Sequence, residues 1–518
     1  MTRQKNPIIL HPFLFTIHPI LFLLSRNMDE VAPVESLRPM VIALAFALIG
    51  FLLLRKFLKD AYKAALLVTI AVLMFFLYSP LYLSVFRGLT LGGFIIGRHR
   101  VLLVLCGLFF MGCTYLVSRI RARLPEVTGY LNIFGIILVS LTLFNIAAHG
   151  SSGLRSAKAS HTWKGMVAEE REDAKEWIHA NKPLRDIYYI ILDAYAREDT
   201  LKEFFGYDNS AFVISLRDKG FYVASDSRSI YDTTYTSLAS SLNFDYLENV
   251  VKSMNLESAG NGLWGEMVRE NKTCRLLKDA GYTFVFFPTV WQVTCRNPNA
   301  DIVLSPQRFN MSEFDRVLLY SSPLQAVVAG TVTRRNELLY LFESLETIPE
   351  IQSPTFTFAH ISCPHDPYVF DKNGNLPEQF ILAKGMDDEA AVLEMHECYI
   401  NQLIYLNNRI EEVIDNILTK SDVEPIIILQ SDHGPPAKMA VLDAHDKTKD
   451  TTKELLDARQ NILNAYYLPD GGNKLLNQSI SPANSFRVVF NHYFGACYEM
   501  LDDTVAPVKT QDDTDNRH

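Results

Sequence analysis

Long apolar runs fill the chain up to residue 149, and from Arg185 short apolar runs of strand length alternate with amphipathic stretches. Five early segments are long enough to cross a hydrocarbon core of roughly 30 Å. They are Ile8–Leu24, Met40–Leu58, Ala64–Phe86, Val101–Ile120 and Leu131–Ala148. His11, Pro12, His18 and Pro19 interrupt the first segment. No small-residue cleavage site follows it, so it reads as an anchor rather than a signal peptide. Arg3, Lys5, Arg55, Lys56, Lys59, Lys63, Arg119, Arg121 and Arg123 fall on one side, against Arg26, Arg38, Arg87, Arg98 and Arg100 on the other. That bias places the N-terminus in the cytoplasm. Five crossings then put everything after His149 outside, in the periplasm or at the exterior of a bacterial cell.

The second half has a different rhythm. Residues 150–184 predict a polar linker followed by a charged helix. After them "DIYYIILD" ends at Asp193, "GFYVASD" at Asp226 and "GYTFVFFPT" at Thr289. "PTFTFAHIS" leads into Cys363 and His365, "PIIILQSDHG" passes through Asp432, and "NAYYLPD" ends at Asp470. Helical patterns lie between them, such as "DNSAFVISLRDKG", with Asp208 or Asn209 as its cap and Gly220 at its end. Strands alternating with helices predict an α/β/α domain with a mostly parallel central sheet. The expected division is 1–149 as the membrane helical domain, 150–184 as linker and helix, 185–500 as the α/β domain, and 501–518 as a disordered tail.

Composition narrows the function classes. At 518 residues and 48% hydrophobic, the chain exceeds one ordinary domain and is too apolar for a wholly soluble one. A net charge of -9 gives no electrostatic case for nucleic acid, and no P-loop or dinucleotide fingerprint occurs. Cys106 and Cys113 sit in a membrane segment, whereas Cys274, Cys295, Cys363, Cys398 and Cys497 lie where disulfides are permitted. Cys274 and Cys295 flank one helix–strand unit and are the expected bridge. With no C-x-x-C pair, a cysteine zinc site is not expected.

In a parallel sheet the ligand crevice lies outside the carboxyl ends of the strands. Asp193 follows "IYYIIL", Asp432 and His433 follow "IIIL", and His360 and His365 follow "TFTFA". Three strands thus deliver carboxylates and imidazoles to one sheet edge, the donor set a divalent metal needs. Zinc or manganese suits it better than magnesium or calcium. The stretch "SRSIYDTTYTSLASSLN" adds hydroxyls at a helix start, where the dipole favours a developing alkoxide and a phosphoryl or sulfuryl group. Thr233, Thr234, Thr236 and Ser237 all qualify as nucleophile by chemistry. Asp366 reads as a turn residue. Lys438, Asp443 and His445 read as a loop near the mouth, and Arg459 and Asn461 as solvated surface.

The order of these features resembles the alkaline phosphatase/sulfatase superfamily. Five spans followed by an exported domain look like lipoteichoic acid synthases and lipid A phosphoethanolamine transferases. The resemblance runs from about Arg185 to Gly495, and in topology over the whole chain. It implies that Asp193, Asp432 and His433 bind metal, and that one threonine is both ligand and nucleophile, Thr234 first by its spacing to "SLASSLN", with Thr233 and Thr236 behind it. It also implies that His360 and His365 orient the transferred group or bind a second metal. Two departures qualify it: no C-x-P-S-R motif occurs, and lipoteichoic acid synthases generally carry Glu where Asp193 stands. The expected function is a metal-dependent phosphotransferase on envelope lipid or glycan headgroups, through a covalent phospho-threonine. Its alternatives are a phosphodiesterase or sulfuric ester hydrolase on the same site, and an inactive membrane scaffold.

Overall fold

The computed structural model describes residues 7–503 except for 29–30, 32, 87–88, 92–93, 96–98, 121–123, 179–183, 257–258, 290, 292, 307–312, 325–330, 353, 378–388 and 437–457. Two units emerge, Met1–Arg155 with Phe309–Gly330, and Ser156–Arg308 with Thr331–His518. The stretch expected as one continuous α/β domain therefore lends an internal segment to the N-terminal unit. There Phe314 is buried with Ile20, Leu24 and Val31, and Asp315 pairs with Arg38.

The apolar runs form α1 (His11–Arg26), α2 (Leu37–Leu58), α3 (Ala61–Leu81), α4 (His99–Arg119) and α5 (Leu124–Ala174). Among the described residues, four stretches are long and apolar enough to cross a membrane: Pro33–Leu58, Ala61–Leu81, Val101–Arg119 and Leu124–Ala148. They expose Val41, Phe46, Phe57 and Phe144, a surface suited to lipid rather than water. The expected first span is shorter than the others. With 16 residues α1 measures about 24 Å, less than the about 20 residues of a full crossing.

Its N-terminus is closed by polar contacts that lipid could not supply. Leu10 and His11 donate their backbone N–H groups to Asn132 Oδ1 at 3.1 and 2.8 Å, and His11 Nδ1 meets Thr69 Oγ1 at 2.6 Å. This polar knot ties α1 to α5 and α3. The strands Thr90–Leu91 (β1) and Phe94–Ile95 (β2) pair antiparallel.

The expected polar linker is helical as far as Ala174, because α5 continues through it without a break. A helix established on both sides propagates through poor formers at no more than about 1 kcal/mol each. Its later part carries Trp163, Val167 and Ala174 into the core of the second unit, where Trp163 Nε1 donates to Glu270 O at 2.8 Å.

That unit is built on a seven-stranded sheet: β3 (Ile187–Leu192), β4 (Tyr222–Val223), β5 (Thr283–Phe287), β6 (Ile302–Val303), β7 (Thr355–Ile361), β8 (Ile426–Gln430) and β9 (Asn464–Tyr467). The spatial order is β4-β9-β8-β3-β7-β5-β6. The pairings of β3 with β7 and β8, and of β5 with β6 and β7, are parallel. Those of β9 with β4 and β8 are antiparallel. Central β3 reads as a continuous apolar run because both faces are covered. Ile187, Tyr189 and Ile191 enter one core, and Tyr188, Ile190 and Leu192 the other. Helix α6 (Thr234–Ser241) contributes Leu238 and Ala239 to the first core, and α7 (Glu389–Lys420) contributes Leu403, Ile410 and Ile414 to the second.

Two smaller expectations change. Cys274 and Cys295 are not joined by a disulfide; burial of Cys274 in the apolar core pushes its thiol up to about 12. The expected tail is held in place through its first residues, where Leu501 N donates to Asn484 Oδ1 at 2.9 Å and Asp503 Oδ1 accepts from Ser481 N at 2.8 Å. Residues 504–518 lie outside the described ones.

Candidate metal centre

Register across the three central strands builds the site. Ile191 pairs with both His360 of β7 and Gln430 of β8, so Asp193 and Asp432 emerge side by side at the carboxyl edge. Asp193, Asp432 and His433 each offer a ligand atom within 4.8 Å of the other two, and all three residues are buried. His433 Nε2 lies 3.8 Å from Asp193 Oδ1 and 3.4 Å from Asp432 Oδ2. His360 Nε2 joins them at 3.5 Å from Asp193 Oδ2 and 3.9 Å from Asp432 Oδ2.

Three atoms at the centre of this cluster, Asp193 Oδ1, Asp432 Oδ2 and His360 Nε2, are buried without a hydrogen-bond partner. Leaving even one such group unpaired costs about 1–3 kcal/mol, and more when it is charged. Two carboxylate oxygens and an imidazole nitrogen orphaned together are what a divalent cation would satisfy. The residues present therefore fit the implied metal.

The remaining atoms of these side chains are held by the fold. Asp432 Oδ1 accepts from His433 N at 2.9 Å and Ala194 N at 3.3 Å. Ala194 takes a positive φ of 64°, a strained backbone that turns its N–H toward Asp432. Nδ1 of His433 meets the Gly434 carbonyl at 3.0 Å. As donor there it leaves the Nε2 lone pair for the centre. A Cβ on Gly434 would run into the Ala458 carbonyl, so the turn after the histidine needs glycine.

Charge follows the geometry. Burial alone would raise the Asp193 carboxyl, but the His365, His360 and His433 imidazoles outweigh it and hold the group well below the usual carboxylate range. Burial, reinforced by the Arg459 guanidinium, pushes His433 down to about 4. At neutral pH His433 is thus an uncharged imidazole, the form that ligates.

The hydroxyl cluster divides its roles. Thr233 is the N-cap of α6, accepting from Thr236 N, and its Oγ1 faces Thr236 Oγ1 at 2.7 Å. Ser237 Oγ bonds Ser229 Oγ and Tyr231 O. Thr234, the first residue of the helix, sends Oγ1 to within 3.3 Å of His433 Nε2. His365 is half-buried at the rim, its Nδ1 2.7 Å from Asp366 O and its ring 6.3 Å from that of His433. His360 Nδ1 is 3.1 Å from Thr294 Oγ1, which meets Thr289 Oγ1 at 2.6 Å.

Two residues at the site carry no warning in the sequence. Trp291 donates its indole N–H to Asp193 Oδ2 at 3.1 Å and sets its ring edge-on to His365. Arg459, expected as solvated surface, donates to Asp232 O at 3.0 Å and Gly434 O at 2.6 Å. Asn461 bonds Thr200 Oγ1 at 3.2 Å rather than facing solvent alone. Lys438, Asp443 and His445 lie outside the described residues.

Residues 214–458 match the sulfatase family model. That stretch is similar to sulfatases. The match takes in Thr234, His360, His365, Asp432 and His433, and the expectation of an alkaline phosphatase/sulfatase-type domain is met. Among solved structures, the C-terminal periplasmic domain of EcEptC from Escherichia coli in complex with Zn is 14% identical at a TM-score of 0.41, covering 62% of this chain and 84% of that one. The integral membrane lipooligosaccharide phosphoethanolamine transferase A from Neisseria meningitidis is 13% identical at 0.39, covering 93% and 95%. A putative sulfatase from Bacteroides fragilis is 12% identical at 0.36, covering 60% and 74%. No curated protein matches the chain.

Proposed function

We propose that the sulfatase domain is a metal-dependent transferase that moves a phosphoryl-linked headgroup through a covalent phospho-threonine at Thr234. The observation that carries this reading is the approach of the Thr234 hydroxyl to His433, beside the orphaned oxygens of Asp193 and Asp432. Asp193, Asp432, His433 and Thr234 would hold the ion, with His360 as a further donor. Once bound, a divalent ion supplies Lewis acidity, which lowers the pKa of the hydroxyl and neutralises charge on the transferred group.

The chain's own residues account for the other steps. Thr234 loses its proton to solvent, and Oγ1 attacks the phosphorus in line as the bond to the leaving oxygen breaks. The N-terminus of α6 favours the negative charge gathered there. His365, its Nδ1–H held by the Asp366 carbonyl, would enter the step as the imidazolium and give the proton on Nε2 to the leaving alkoxide. An acceptor hydroxyl then attacks the phospho-threonine and returns its proton to His365, and the Thr234 oxygen, released as the P–O bond breaks, regains its proton from solvent.

The membrane spans make an envelope lipid or glycan the expected substrate, since tethering raises its effective concentration. With α1 counted as a fifth, shorter crossing, the N-terminus is cytoplasmic and the domain faces the periplasm or cell exterior. A second reading, hydrolysis of a phosphate or sulfate ester, draws support from the sulfatase model match. Labelled phospholipid separates the two: headgroup on an acceptor supports transfer, and free headgroup alone supports hydrolysis. Turnover that persists after the wild-type chain has been stripped of its metal would overturn both.

A further inference from the structure

Arg459 links the two loops that carry the reacting groups. Its Nε–H donates to the carbonyl of Asp232, two residues before Thr234, at 3.0 Å. Nη1 donates to the carbonyl of Gly434, directly after His433, at 2.6 Å. The Gly434 N–H returns a bond to the Arg459 carbonyl at 2.5 Å, so that both backbones are locked. The same Gly434 carbonyl faces His433 Nδ1, so the guanidinium and the imidazole share one acceptor. The side chain is therefore rigid against both loops at once.

We propose that Arg459 is a positioning residue: its planar guanidinium spans the Asp232 and Gly434 carbonyls and so sets the separation of Thr234 from His433. The inference rests on the metal-dependent reading above and deepens it. A guanidinium suits the task because its donors lie in a fixed fork, whereas an ammonium is a compact point donor on a flexible stem. By holding Gly434 O in place it also fixes which imidazole nitrogen carries hydrogen, the kind of outer contact that sets a ligand's orientation and basicity. Arg459 itself is assigned no contact with substrate.

The test titrates the full-length chain in detergent with zinc alone, followed by calorimetry. Wild type is compared with Arg459→Ala, Arg459→Lys and Asp432→Asn. Arg459→Ala is expected to weaken zinc binding about 10–100-fold, with Arg459→Lys between it and wild type. Millimolar guanidinium is expected to restore part of the affinity to Arg459→Ala and none to wild type, a rescue that a merely structural role would not produce. If Arg459→Ala fails to fold, Arg459→Lys carries the comparison. Wild-type zinc affinity in the arginine variants, while Asp432→Asn has lost binding, would overturn the positioning role and leave the metal reading standing. A wild-type chain that takes up no zinc would overturn both.

Discussion

The hydroxyl of Thr234 stands 3.3 Å from Nε2 of His433, while the flanking hydroxyls of Thr233 and Thr236 face each other at 2.7 Å. Thr233 caps the helix, whereas the hydroxyl of Thr234 faces the histidine. Thr234→Ala is expected to lower turnover by at least about 10³-fold and to abolish any phosphorylated enzyme trapped by rapid quench. Thr234→Ser keeps an oxygen at the same place and retains the label. Because Thr234 is only half-buried, neither change is expected to cost more than about 1 kcal/mol of stability. A label that persists in the alanine variant would reassign the nucleophile, with Thr233 next in line.

The orphaned Asp193 and Asp432 oxygens predict effects of opposite sign with and without metal. Zinc at a hundred times its Kd should add about 2.7 kcal/mol to the stability of the wild-type domain. Asp432→Asn should lose that gain. In metal-free protein the same substitution removes one of two buried carboxylates that repel each other, so it should be neutral or stabilising. All four tryptophans lie at 163, 177, 264 and 291, within the second unit. Tryptophan fluorescence during thermal unfolding therefore reports that unit. A zinc-induced rise in Tm that is equal in both proteins would place the ion elsewhere.

Much of this centre was legible in the chain because its ligands close strongly apolar strands. Asp193 comes one residue after β3, and Asp432 two residues after β8. Neighbouring parallel strands deliver such positions to one edge. Trp291 was not legible, because it sits in an irregular stretch after β5 and reaches a carboxylate 98 residues away. Arg459 touches Asp232 across 227 residues, and no local pattern marks such a contact. Period-two alternation also says nothing of strand direction, which is why the antiparallel pairing of β9 with β8 was not foreseen. Nor did hydropathy register how Asn132 would close the start of α1.

Trp291 should tune the metal through Asp193. Its indole N–H is the hydrogen-bond donor to Oδ2, the oxygen nearer His360. Trp291→Phe keeps most of the ring but deletes the donor. The expected result is roughly tenfold weaker zinc binding, with a stability change within about 2 kcal/mol. Trp291 is also the tryptophan placed to sense the ion, so zinc should alter the emission of wild type and leave that of the phenylalanine variant nearly unchanged. An unaltered zinc affinity in Trp291→Phe would show that the indole only covers the site.

Acid should destabilise the metal-free domain in a window set by His433. Its folded-state pKa is lowered from 6.5 to about 4 by burial and the Arg459 charge. Between those values the unfolded chain binds the proton and the folded one does not, so stability falls as pH drops from 6.5 toward 4. Complete passage through the window corresponds to about 3 kcal/mol. Asp193 acts lower down: its depressed carboxyl contributes stability above the unfolded value near 4, which is lost only as pH falls further. The measurement is the urea midpoint of the metal-free chain against pH, for wild type and His433→Gln. The glutamine variant should flatten the slope between pH 6.5 and 4 while keeping the fall below it. An unchanged slope would mean that His433 is not the group that takes the proton on unfolding.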